Sequence, residues 1–60
     1  MLILYGIINS NIDITKLCFN KLVLNNHIII PSGDFNRTDL FTDPLIGTKK
    51  SIIIINFIHY

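Results

Sequence analysis

Lys50-Ser51-Ile52-Ile53-Ile54-Ile55-Asn56-Phe57-Ile58-His59-Tyr60 is the longest β-branched and aromatic run in the chain, and it reads as a strand. Successive strand side chains point to opposite faces. The even positions are Ile52, Ile54, Asn56, Ile58 and Tyr60, and the odd ones Ser51, Ile53, Ile55, Phe57 and His59. Both faces are apolar. The first strand, Leu2-Ile3-Leu4-Tyr5-Gly6-Ile7-Ile8, behaves alike, with Leu2, Leu4 and Ile8 opposing Ile3, Tyr5 and Ile7. Strands of this kind are normally covered on both sides.

Between them the chain offers one strong helical signal. Asn9-Ser10-Asn11 breaks the first strand, and Ile12-Asp13-Ile14-Thr15 reads as the approach to a helix, Asp13 and Thr15 being N-cap types. Cys18, Phe19, Leu22 and Val23 then fall on a single stripe, and Asn25-Asn26 supplies a stop. The spacing predicts a helix over about 15–24. His27-Ile28-Ile29-Ile30 reads as a further strand, closed by Pro31, which cannot donate to a ladder. One helix covers one face of a small sheet. The expectation is therefore an α+β fold, a small antiparallel sheet of three to four strands with one helix, its core completed by homo-oligomerisation. An all-β, sandwich-like arrangement is the alternative. Residues 1–60 form a single domain without internal repeats or linkers.

The segment Pro31 to Ser51 holds both prolines and most of the charged side chains. Ser32-Gly33-Asp34 has turn chemistry, Arg37-Thr38-Asp39-Leu40-Phe41 suits a short helical turn, and Asp43-Pro44 and Gly47 mark structural turns. Asp34, Asn36, Arg37, Lys49 and Lys50 make up a candidate binding loop. Arg37, Lys49 and Lys50 would form a small basic patch, with Phe35 and Phe41 as stacking surfaces. Asp34, Asp39 and Asp43 offset that charge, so salt bridges that pin the loop are the favoured reading.

Several chemistries are excluded on residue types. The chain has 14 Ile and 7 Asn, but no Ala, Glu, Gln or Trp, a bias that AT-rich coding produces. Its net charge of +1 provides no field to steer polyanions. Cys18 is alone, so no internal disulfide forms. Met1 to Ile8 lacks the features of a secretory signal, and no apolar run approaches the roughly 18 residues that span a bilayer. A soluble intracellular protein without a membrane partner is expected.

Asp34, Asn36 and Thr38 match the first ligand positions of a calcium loop, but Asp39 and Leu45 replace its required Gly and Glu. Gly47-Thr48-Lys49-Lys50-Ser51 lacks the spacing of a phosphate loop. Asn36-Arg37-Thr38 is a glycosylation sequon, which has meaning only on a secretory route. Cys18, His27 and His59 are the soft metal ligands, and none are spaced as a pair. Cys18 lies on the apolar stripe, where a thiol is inert, and four Asp without Glu make poor acid–base pairs. Neither a metal, a cofactor nor catalysis is expected.

Taken in order, Tyr5-Gly6, Ile12-Asp13-Ile14-Thr15, a helix with Leu17, Cys18 and Leu22, Ile28-Ile29-Ile30, Phe41-x-Asp43-Pro44-x-x-Gly47 and Lys50 leading into a β-run form a familiar pattern. Over residues 5–56 the chain resembles a small domain of unknown function at the C-terminus of mitochondrial DnaJ-like proteins of subfamily C member eleven. It is also similar to short versions in large DNA viruses, which share Ile30-Pro31-Ser32-Gly33-Asp34-x-Asn36-Arg37. It departs at Thr42, where that family more often has Gly, and it has no J-domain, so no chaperone-binding role carries over. The resemblance implies a module used for assembly or interaction, without catalytic residues, in which Asp43, Pro44 and Gly47 are a structural signature. A viral version would act in the host cytoplasm or virion.

The resulting expectation is a non-enzymatic, self-associating protein–protein interaction or structural module, most simply a homodimer, open to other protein partners. A nucleic-acid or polyanion-binding module acting through the Pro31 to Lys50 loop is the alternative.

Overall fold

Asn11 organises the first turn of the chain: its Nδ2 donates to the carbonyl oxygens of Ile7 at 2.9 Å and Ile8 at 3.1 Å. In the computed structural model, which describes residues 1–56, this turn joins β1 (Leu2–Ile7) to β2 (Ser10–Asp13). The two are antiparallel, with Ile7 opposite Ser10 and Tyr5 opposite Ile12. Ile12-Asp13, read from sequence as a helix approach, thus belongs to a strand. Close backbone approach makes the hairpin depend on Gly6. At φ 145° a Cβ there would strike the Ser10 carbonyl oxygen and meet Asn11 Cα at 2.7 Å.

The chain then enters α1 (Thr15–Lys21). Asp13 Oδ1 accepts from the Thr15 N–H at 2.9 Å, while Thr15 Oγ1 accepts from the Ile3 N–H at 2.8 Å. These bonds clip the helix start to β1. The helix is shorter than its stripe suggests. Asn25 and Asn26 adopt φ 52° and 65°, the left-handed pair that a tight two-residue hairpin demands. They pull Val23 out of the helix into β3 (Val23–Leu24), paired with β4 (His27–Ile28) in a separate two-stranded sheet. Of the predicted stripe, Cys18 is buried and Leu22 packs against the core, whereas Phe19 and Val23 are exposed. Ile29 and Ile30 lie beyond β4.

A second helix, α2 (Asp34–Phe41), occupies the segment expected to be loop with one helical turn. Asp34 sits in its first turn, where a negative charge suits the helix dipole. Its inner face carries Thr38 and Phe41 as well as apolar Leu40. Tyr5 Oη lies 2.9 Å from Thr38 Oγ1 and donates to the Asp34 carbonyl oxygen at 3.3 Å. The Tyr5 and Phe41 rings meet at 5.5 Å, tilted by 55°, a geometry aromatic pairs favour.

The chain returns to the sheet as β5 (Ser51–Ile55), antiparallel to β1 with Ile3 opposite Ile54 and Leu4 opposite Ile53. Sheet order is β2-β1-β5. The fold is α+β with a three-stranded antiparallel sheet, as expected, plus the added hairpin and a second helix. The expected continuation of the last strand through Phe57, Ile58, His59 and Tyr60 lies outside the described residues. Ile3, Tyr5, Ile14, Cys18 and Phe41 form the core, and both helices approach the sheet from the Ile3 and Tyr5 side.

Candidate functional site

Two features stand apart from the core: a polar cluster around Lys50, and the surfaces of β5.

Lys50 is only 5% exposed. Its Nζ lies 3.1 Å from Asp43 Oδ1 and 3.6 Å from Asp34 Oδ2. It also donates to the carbonyl oxygens of Thr48 at 2.6 Å and Leu45 at 3.3 Å. Burial opposes the charge, but the Asp43 hydrogen bond and the attraction of Asp43 and Asp34 outweigh it and hold the ammonium above its ordinary range. The backbone N–H of Lys50 donates to Asp34 Oδ2 at 2.9 Å. Tyr5, Asp34, Thr38, Asp43 and Lys50 therefore form one satisfied network that joins β1, α2, the following turn and β5. Among the described residues no buried side-chain polar atom lacks a partner.

The structure places the predicted turn residues as a unit. Asp43 Oδ1 accepts from the Leu45 N–H at 3.0 Å. The Thr48 N–H donates to the Leu45 carbonyl oxygen at 3.3 Å, and Gly47 has φ 80°. That places Gly47 at the third position of a type II turn, where a positive φ is required.

The candidate binding loop does not come together as an outward cationic patch. Lys50 is turned inward as a structural cross-link. Arg37 is half-buried, and its Nε donates to the Pro31 carbonyl oxygen at 2.6 Å. Asn36 Nδ2 donates to the Ser32 carbonyl oxygen at 3.2 Å. Lys49 is exposed. Of the two proposed stacking rings, Phe41 is buried against Tyr5, while Phe35 is 86% exposed. A shallow depression of about 460 Å³ beside them is lined by Asp34, Phe35, Thr38, Asp39, Asp43 and Lys50. Its three carboxylates oppose an anionic ligand.

The apolar surfaces of β5 are the more telling feature. Opposed residues share a face, so Ile52 and Ile54 join Tyr5 and Ile3 on the helix side. Ile53 and Ile55 join Leu4 and Leu2 on the reverse, and none of these four belongs to the core or packs against it. Asn11, Asp13 and Ser51 give that reverse face a polar half. Even on the helix side the cover stops short, leaving Ile54 55% exposed. It borders a groove of about 660 Å³ lined by Met1, Ile3, Phe19, Val23, Ile28 and Ile30 among others.

Cys18 is fully buried among the core side chains, and burial pushes its thiol up from the ordinary pKa. His27 Nδ1 donates to the Asn25 carbonyl oxygen at 2.8 Å, which ties the ring to its own hairpin. The remaining soft ligand, His59, lies outside the described residues. Among the described residues no three His, Cys, Asp or Glu side chains cluster as metal ligands, and no helix is long and apolar enough to cross a membrane. Comparison with protein-family models, curated proteins and solved structures returns no match to this chain.

Proposed function

We propose that this chain is a non-enzymatic interaction module that works by self-association, most simply as a two-fold dimer. One observation carries the reading: β5 is apolar on both faces and, among the described residues, unpaired along its outer edge. Natural edge strands are blunted by charges, prolines or bulges, and Ser51-Ile52-Ile53-Ile54-Ile55 has none of these. The inward Lys50 and the three carboxylates around it weigh against the polyanion-binding alternative, and the buried Cys18 weighs against nucleophilic chemistry.

The test is the solution mass of the native chain by light scattering. A mass of at least twice the 6.9 kDa of one chain is expected at micromolar concentration. Ile54→Lys and Ile55→Lys sample the two faces of β5, and at least one should dissociate the assembly. A folded wild-type monomer would sink the proposal.

A further inference from the structure

We infer that β5 pairs edge to edge with the β5 of a second copy, antiparallel about a two-fold axis through Ile53. This rests on the self-association reading above and names the surface that performs it. Backbone direction is the starting point. Residues along an antiparallel strand point their N–H and C=O groups alternately to one neighbour and the other. The Ile3 carbonyl oxygen accepts from the Ile14 N–H at 2.9 Å, and the Ile3 N–H donates to Thr15 Oγ1 at 2.8 Å. Both groups of Ile3 therefore face the β2 side. Its opposite number, Ile54, must then point its own N–H and C=O out of the sheet, and Ile52 does the same by alternation.

Lys50 is the next residue in that series, and its N–H is already taken by Asp34 Oδ2 at 2.9 Å. Among the described residues the edge is thus capped at one rung and open at the next two, which flank Ile53.

The occupant has to be an antiparallel strand with a free edge and no charge to bury beside the apolar groove. From Ser51 to Asn56 the edge carries no charged side chain, so charge matching calls for an equally uncharged partner strand. Among the described strands β1 is paired on both sides, β2 carries Asp13, and β3 and β4 are only two residues each, too short to meet both open rungs. Only β5 itself meets every requirement. Centring the axis on Ile53 sets Ile52 against Ile54 of the second copy and Ile54 against its Ile52, so both open rungs are satisfied in each chain. The residues opposed across the axis share parity, so the faces match. The second copy's isoleucines then border the groove beside Ile54, and the three-stranded sheet becomes one of six strands with an isologous interface.

The experiment uses chemically synthesised full-length chain with the Ile54 backbone nitrogen methylated, which blocks the outward rung without touching the bonds to β1. Circular dichroism should stay native while the mass falls to that of a single chain. In parallel, hydrogen exchange on the unmodified dimer should show Ile52 and Ile54 amides slowed by about 100-fold or more relative to an open edge. A methylated chain that remains dimeric, or fast exchange at both amides in the dimer, overturns edge pairing but leaves self-association standing through another surface. A wild-type monomer overturns both. The exchange measurement decides on its own should the methylated chain not fold.

Discussion

Lys50 Nζ stands 3.1 Å from Asp43 Oδ1 and 3.6 Å from Asp34 Oδ2, so one buried ammonium ties the start of α2, the following turn and the entry to β5. Replacing it leaves two carboxylates facing each other and two carbonyl oxygens without their donor. Lys50→Met should lower the melting temperature by roughly 10 °C. The pH dependence has a definite sign. A folded-state pKa raised above 10.5 stabilises fully below that value and is lost as pH rises through the higher folded one. Thermal melts of both proteins should show a constant gap between about pH 6 and 9 that narrows above about pH 10.5. A gap that widens there would refute the assignment.

Gly6 and Gly47 should respond unequally to substitution. Both have positive φ, but only at Gly6 would a Cβ strike backbone across the hairpin, whereas at Gly47 it meets open space. Gly47→Val carries backbone strain alone and should cost about 1–2 kcal/mol. Gly6→Ala adds a steric clash and should cost about 3 kcal/mol or more. Urea unfolding of the two variants checks the ranking, and equal costs would contradict it.

Thr42 offers the opposite case. It ends α2 at φ 73° and ψ 172°, a region that essentially only glycine occupies and that costs other residues about 1–3 kcal/mol. Thr42→Gly relieves this strain but makes the unfolded chain freer by about 0.4–1 kcal/mol. A net gain of about 1 kcal/mol is expected, seen as a rise of roughly 4–8 °C in melting temperature. A lower melting temperature would mean that Thr42 is not strained.

Cys18 should be chemically silent in the native state. Its side chain is fully buried and its thiol pKa is raised by that burial, which reduces the thiolate fraction. A thiol reagent at neutral pH should label it only at the rate of global opening and at once after denaturation. Rapid native labelling would reopen a redox or nucleophilic role.

The strands at Leu2 to Ile7 and Ser51 to Ile55, the turn built by Asp43 and Gly47, and the buried Cys18 were legible in the residues themselves. Their causes are local: β-branched side chains, a carboxylate that accepts from its own turn, and a thiol on an apolar stripe. Of the second helix only the turn at Arg37 to Phe41 was legible, not its start at Asp34. Its inner face uses Thr38 and the Asp34 carbonyl, half-buried polar groups that the Tyr5 hydroxyl reaches from a distant strand. Val23 likewise looked helical until the left-handed Asn25 and Asn26 turned it back to pair with Ile28. For Lys50 the residues offered a ligand-binding cation or, as the favoured reading, a salt bridge that pins the loop; the ion pairs with Asp43 and Asp34 bear out the second, and tertiary structure supplied Asp34 by bringing the start of α2 to its side. Composition and periodicity thus determined the two principal strands, Leu2 to Ile7 and Ser51 to Ile55, and that both carry apolar side chains on two faces. The partners of each polar group were decided in three dimensions, because a hydrogen bond between residues far apart in the chain leaves no spacing in the sequence.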